Sequence, residues 1–175
     1  TLSTELGKLR NLNAFVVTEN LFYGQVPTEL GTLGLQRLQL ARNSFESRLP
    51  SEIGKIRELG LLDLCSNRLS GHLPPQLVNL KVLNVLGIDG TLFDGPLPGG
   101  IGKLTNLISL YAGANLFTGA LPTTLGQLHK LKRMGFGESR LTGVLPSEFG
   151  KLTGVSWLNL RWNSLSASLP KELGK

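Results

Sequence analysis

The chain has little of what several protein classes depend on. Its 175 residues include one cysteine, Cys65, and only 6% aromatic residues. A single cysteine excludes an internal disulfide framework and a cysteine-based zinc site. The shortage of aromatic rings indicates a core built mainly from leucine, because compact globular cores usually depend more on aromatic bulk.

Long hydrophobic runs are also missing. No apolar stretch approaches the ~18 residues that read as a membrane-spanning helix. No charged start followed by an apolar stretch marks a signal peptide. We therefore expect no membrane insertion in this segment, and any leader or anchor of a longer protein would lie outside it.

Glycine and proline, in contrast, are plentiful, at 22 and 9 residues. Seven of the prolines follow an aliphatic residue and recur at steps of 23 or 24 residues: Pro27, Pro50, Pro74, Pro98, Pro122, Pro146 and Pro170. Self-similarity at a fixed period of this size is typical of a repeat architecture. The period therefore predicts a stack of similar turns.

A polar residue stands seven positions before each of these prolines, and we call it the ladder position. The seven ladder residues, which number turns 1 to 7, are Asn20, Asn43, Asn67, Thr91, Asn115, Ser139 and Asn163. Apolar residues lie five and three positions before each one, so both point to one face of a short strand. A buried asparagine at the following bend can bond backbone groups that the bend leaves unpaired.

The rest of each period predicts a second extended segment, which ends at the proline, and a short helical return such as residues 50–56. One period cannot bury its own apolar face, so the turns must stack into a solenoid. Thr91 and Ser139 each offer a single hydroxyl, and we expect looser bends there. Turn 2 is one residue short around residues 33–35, which predicts a tighter return.

These residues resemble the leucine-rich repeat, LxxLxLxxN. Residues 69–74 and 141–146 carry the LxGxLP pattern, which resembles the plant-specific subclass of receptor kinase ectodomains and polygalacturonase-inhibiting proteins. The resemblance implies an α/β solenoid, a right-handed leucine-rich-repeat superhelix of about seven turns. A parallel β-sheet should line its concave face, and short 3-10 or α-helical segments its convex face.

The repeats cover essentially the whole chain, so residues 1–175 are predicted to form a single array. Both ends of the sequence fall within a repeat, and the paired cysteines that often cap arrays of the plant subclass are absent. We expect the array to be uncapped at both ends, as part of a longer protein or with a neighbouring subunit covering its ends.

With the core positions assigned, function must fall on the side chains that face outward from the strands. Turns 4 to 6 are rich in glycine and alanine there, and turn 7 carries both tryptophans. Trp, Tyr and Arg are enriched among interface hot spots, and glycine lets a partner's backbone approach closely. The predicted partner-binding patch consists of Tyr111, Arg133, Trp157, Asn159, Arg161 and Trp162. The competing interpretation is that glycine fills unused surface and that a tryptophan packs against the next repeat.

Charge and chemistry limit the other possibilities. The net charge is +6, from 18 Lys and Arg against 12 Asp and Glu, but the excess falls on the convex returns without aromatic interleaving, so we expect no nucleic-acid binding. His72 and His129 are too far apart to converge on a metal. A cation shared by Asp63 and Asp89 is disfavoured, because surface carboxylates are usually just solvated. We expect no catalytic residue, no metal and no cofactor, and therefore no enzyme.

The sequence thus predicts a non-catalytic scaffold that binds a protein or peptide through its concave face, as similar ectodomains do. The alternatives are a structural subunit or spacer in a larger assembly, or an ectodomain fragment of a receptor kinase. Ice binding is disfavoured because the second extended segment carries no regular threonine array. The resemblance implies an extracellular or cell-surface location, to which the absence of Asn-x-Ser/Thr motifs gives no support.

Overall fold

The computed structural model describes residues 1–174, and the same three elements recur in each turn. The first strands are Ala14–Val16, Arg37–Gln39, Leu61–Asp63, Val85–Gly87, Ser109–Tyr111, Arg133–Gly135 and Trp157–Asn159. The second strands are Tyr23–Gly24, Ser44–Arg48, Arg68–His72, Leu92–Gly95, Leu116–Gly119, Arg140–Gly143 and Ser164–Leu165. The returns are 3-10 helices at Thr4–Lys8, Thr28–Thr32, Ser51–Lys55, Pro75–Asn79, Ile101–Lys103, Thr123–Gln127, Ser147–Lys151 and Lys171–Gly174.

Both sets of strands form parallel sheets whose neighbours are consecutive turns. In the first sheet equivalent residues pair, as Phe15 does with Leu38. The predicted solenoid with a parallel sheet is therefore confirmed. The second sheet was predicted only as extended segments, and its register is offset, since Thr118 pairs with Arg140 and not with Thr142.

The core is a stack of equivalent leucines between the sheets and the returns. Leu62, Leu86 and Leu110 are at most 1% exposed, and each such residue contributes roughly 1.5–3 kcal/mol on burial. Phe93 and Phe117 stack beneath the second sheet, with ring centroids 6.5 Å apart. In turn 7 the equivalent Leu158 is 40% exposed.

The asparagine ladder bonds as the sequence predicts. Asn67 donates from Nδ2 to the carbonyl oxygens of Leu40 and Leu64, at 3.0 Å each, and its Oδ1 accepts from the Phe45 amide at 3.0 Å. Leu40 and Phe45 belong to turn 2, so Asn67 ties its own bend to the preceding turn, as Asn43, Asn115 and Asn163 also do. Asn20, in turn 1, bonds carbonyl oxygens of its own turn.

The two departures from asparagine behave differently from each other. The Thr91 hydroxyl lies within hydrogen-bond distance of two acceptors, the carbonyl oxygen of Ile88 at 3.0 Å and Oδ1 of Asn115 at 2.6 Å, which share its single proton. The Ser139 hydroxyl is buried and has no hydrogen-bond partner among residues 1–174. The bend keeps the same backbone conformation with either replacement, since the residue before each ladder position has a positive φ in all seven turns. Replacing asparagine at the ladder position therefore affects the hydrogen bonds of the bend.

The returns pack so closely that some positions accept only glycine. A β-carbon at Gly102 would lie 2.1 Å from the Thr124 carbonyl oxygen, and one at Gly54 would lie 2.3 Å from that of Gln76. Turn 2 shortens its return at Leu33, which leaves the helix in an extended conformation with ψ 152. The missing residue of turn 2 is therefore accommodated by a change of backbone path at Leu33.

Candidate functional site

The concave face consists of the residues that lie six, four, two and one positions before each ladder residue. Register places Arg133 beside Trp157 and Gly135 between Tyr111 and Asn159. A groove of ≈ 400 Å³ crosses this face from turn 3 to turn 7. It is lined by Ser66, Asp89, Gly90, Gly113, Ala114, Gly135, Gly137, Glu138, Trp157, Asn159 and Arg161.

One side of the groove is aromatic. The Trp157 ring lies over Gly135, where an added β-carbon would be 2.9 Å from ring atoms. The Tyr111 ring packs against it at a centroid distance of 6.0 Å and a tilt of 55°. Trp157 is still 41% exposed. It therefore offers a ring that is already held in place.

Arg161 stands beside this ring with its charge largely satisfied. Its guanidinium bonds the Glu138 carboxylate and lies 5.0 Å from the Trp162 ring centroid. Its backbone amide donates to Oδ1 of Asn159 at 3.1 Å. Trp162 itself is 74% exposed. Turn 7 thus presents an arginine that is internally paired.

The opposite side of the groove is acidic. Oδ1 of Asp89 accepts a hydrogen bond from the amide of Gly113 in the next turn. Burial raises the pKa of Asp89, the Gly113 hydrogen bond lowers it, and the charges of Asp63 and Glu138 raise it further. The carboxylates of this face therefore act on one another electrostatically.

Cys65 lies between the two aspartates in sequence and packs with Asp63 against Gly87. A β-carbon at Gly87 would lie 3.0 Å from both the Cys65 sulfur and Oδ1 of Asp63. Burial, with the Asp63 charge second, raises the pKa of the Cys65 thiol to about 12. The thiol is therefore protonated at neutral pH, which fits the role of a small filler.

The glycines of turns 4 to 6, which the sequence suggested would let a partner's backbone approach closely, are partly covered. Side chains of neighbouring turns lie across them: Asp89 leans over Gly113 from one side, and Trp157 leans over Gly135 from the other. The missing β-carbons make room for these side chains. The groove is the space between Asp89 on one side and Trp157 on the other.

The six predicted residues divide into three groups. Trp157, Asn159 and Arg161 line the groove, and Tyr111 supports the Trp157 ring. Arg133 and Trp162 lie on the same face but outside the groove lining.

Apart from the glycines and Ala114, three residues that line the groove are missing from the predicted patch: Ser66, Asp89 and Glu138. They occupied outward-facing positions, but their residue types are common on any surface. The signal that could have found them is their place beside the glycine-rich turns.

Other groups stand apart from this face. His72 bonds Asp94 at 2.5 Å on the second sheet, whereas His129 follows the helix Thr123–Gln127. Within residues 1–174, no cluster of three or more His, Cys, Asp or Glu residues is placed to hold a metal ion. The same residues include no helix long and apolar enough to cross a membrane.

The Leucine Rich Repeat family model matches residues 34–56 and 58–80, in the turns whose ladder and leucine core are described above. The chain folds as a leucine-rich-repeat solenoid. Its repeats are of the plant-like 24-residue type. The sequence has no match among curated proteins.

Solved leucine-rich-repeat structures superpose on nearly the whole chain. The ectodomain of the Arabidopsis thaliana receptor kinase GASSHO1/SCHENGEN3, in complex with CASPARIAN STRIP INTEGRITY FACTOR 2, has a TM-score of 0.85 and 28% identity over 98% of this chain and 24% of its own. The Arabidopsis receptor kinase HAESA, in complex with the peptide hormone IDA and the co-receptor SERK1, has a TM-score of 0.76 and 29% identity over 97% of this chain and 33% of its own. This chain thus spans about a quarter to a third of their lengths.

A plant ice-binding protein also superposes, with a TM-score of 0.71 and 22% identity over 97% of this chain and 70% of its own. This likeness concerns the fold alone. The outer face of the second sheet carries Glu46, the paired His72 and Asp94, and Arg140, which interrupt its threonines. The arrangement gives no support to ice binding.

Proposed function

We propose that this leucine-rich-repeat solenoid is a non-catalytic recognition scaffold that binds a peptide or an extended protein segment in the groove of its concave face. The observation that carries the proposal is Trp157, a large ring that is 41% exposed and yet packed between Gly135 and Tyr111. A rigid, partly exposed aromatic in a concavity is typical of an interface hot spot, because little side-chain entropy is lost on binding.

The length of the groove fits an extended ligand. It runs from Ser66 in turn 3 to Arg161 in turn 7. At ~4.8 Å for each step between turns it is roughly 19 Å long, which about six residues of extended chain would span. The similar ectodomains of GASSHO1/SCHENGEN3 and HAESA were solved with an integrity factor and with a peptide hormone, which supports the same class of ligand here.

These receptor ectodomains also favour a setting for the scaffold. We infer an extracellular or cell-surface location, with the chain as a piece of a receptor-type ectodomain. A spacer role without a ligand is the competing function, and the binding experiment below decides between them.

The test is a selection from a display library of random linear peptides on the immobilised 175-residue chain. Trp157→Ala should weaken the binding of the selected peptides by at least ~2 kcal/mol, about 30-fold in Kd, because it removes the exposed ring. Val82→Ala is the matched control, because Val82 is also 41% exposed but follows the convex helix Pro75–Asn79. Failure to enrich any peptide, or equal affinity for wild type and Trp157→Ala, would overturn the proposal.

A further inference from the structure

Among the described residues, the concave face leaves two carboxylates without a cationic partner. Its acids are Glu19, Asp63, Asp89 and Glu138. Glu19 pairs with Arg42 at 2.7 Å, and Glu138 pairs with Arg161. Within the part of the chain that the structure describes, neither Asp63 nor Asp89 forms a salt bridge. Of these two, only Asp89 lines the groove.

Asp89 is positioned to receive a ligand. Its hydrogen bond to the Gly113 amide uses Oδ1 and fixes the carboxylate over turn 5. The hydrogen bonds among residues 1–174 do not engage Oδ2, which is therefore available to a donor in the groove. Asp63 and Glu138 are close enough to disfavour the Asp89 charge. A cation bound at Asp89 would relieve that repulsion as well as form its own charge-assisted hydrogen bond.

The aromatic side of the groove offers a ligand a second contact, at a fixed distance from Asp89. Asp89 lies against Gly113 in turn 5, and the Trp157 ring lies over Gly135 in turn 6. One step between turns and two residues along a strand separate these glycines, which is about 8 Å. An extended peptide covers that distance in two to three residues.

On the basis of the proposed peptide-binding function, we propose that the groove selects peptides with a lysine or arginine side chain on Asp89 and an apolar or aromatic side chain two to three residues away on Trp157. The basic group supplies the missing counter-charge, and the apolar group packs on the exposed ring. The internally paired Arg161 adds no free positive charge to repel the ligand.

The test uses peptides selected from the same random library. Lysine or arginine should be enriched at one position, with an apolar residue two to three positions from it. Replacement of that basic residue by norleucine should weaken binding to the wild type at least ~10-fold. In Asp89→Asn the same replacement should have little effect, whereas Asp94→Asn, which alters a carboxylate on the second sheet, should behave as wild type.

The two proposals fail in different ways. Peptides that depend on Trp157 but show no basic preference would overturn the lysine or arginine site and leave the recognition function standing. The lysine or arginine site would likewise be overturned if the norleucine replacement weakened binding to the wild type and to Asp89→Asn by the same factor. If no peptide is enriched at all, the recognition function itself is wrong. Unfolding curves of Asp89→Asn and Asp94→Asn establish that both variants are folded.

Discussion

Asp89 gives the clearest prediction at the scale of a single residue. Its raised pKa means that the folded state holds the proton more tightly than the unfolded state does. The associated stability is therefore complete below the ordinary carboxyl pKa of 3.8 and is lost as the pH rises through the folded-state value.

Asp89→Asn should accordingly be more stable than the wild type at neutral pH. The amide oxygen can still accept from Gly113, but it carries no charge to bury. The advantage should shrink as the pH falls toward 3.8. Urea unfolding of both proteins across this range measures it. A variant that is equally stable or less stable at neutral pH would contradict the assignment.

Single residues also show what the sequence could reveal. Glycine lies four positions after the ladder in five turns, and all seven members of this row have a positive φ, Ser47 and Ala167 included. The row just before the ladder has a positive φ too, but it carries Glu19, Arg42 and Trp162. These residue types give no signal for that conformation, which the ladder bend imposes.

At the scale of one element, we expect the ladder bend of turn 6 to contribute less to stability than the asparagine bends do. Ser139→Asn should stabilise the chain by about 1 kcal/mol, because an amide there can bond groups of turn 5 that the buried hydroxyl does not reach. The converse change, Asn67→Ser, should cost about 1–3 kcal/mol, since it removes bonds to Leu40, Leu64 and Phe45. Urea denaturation measures both changes. Loss of stability in Ser139→Asn would show that the bend cannot accommodate the larger side chain.

Elements were predictable where one turn carries the whole signal. The strand before Asn67 and the return at residues 50–56 each follow from spacing within a single period. The second sheet was not predicted, because its strands do not pair at equivalent positions as those of the first sheet do. Thr118 meets Arg140 through an offset that no single period encodes.

At the scale of the whole molecule, stability should depend on how many neighbours a turn has. Leu110 and Leu158 occupy equivalent positions, but their exposures are 1% and 40%. Leu110→Ala should cost about 2–5 kcal/mol, and Leu158→Ala clearly less in the 175-residue chain, because less apolar contact is lost. Chemical denaturation of both variants tests this. Equal losses would mean that the array does not gain its stability from stacking.

Only the aromatic side of the candidate groove could be predicted from the sequence. Residue types pointed to Trp157 and Arg161, since aromatic and arginine side chains favour interfaces. The directions in which Asp89 and Trp157 lean depend on glycines in adjacent turns. That packing arises only when the turns are stacked, so the acidic side of the groove remained hidden in the sequence.

The half-buried Cys65 has a practical consequence. With its pKa raised to about 12, almost none of it is present as the thiolate that alkylating reagents attack. A cysteine introduced at an exposed site, such as that of Val82, would therefore react first with a maleimide dye. The native protein is in this sense already prepared for single-site fluorescent labelling, with no need to remove its own thiol.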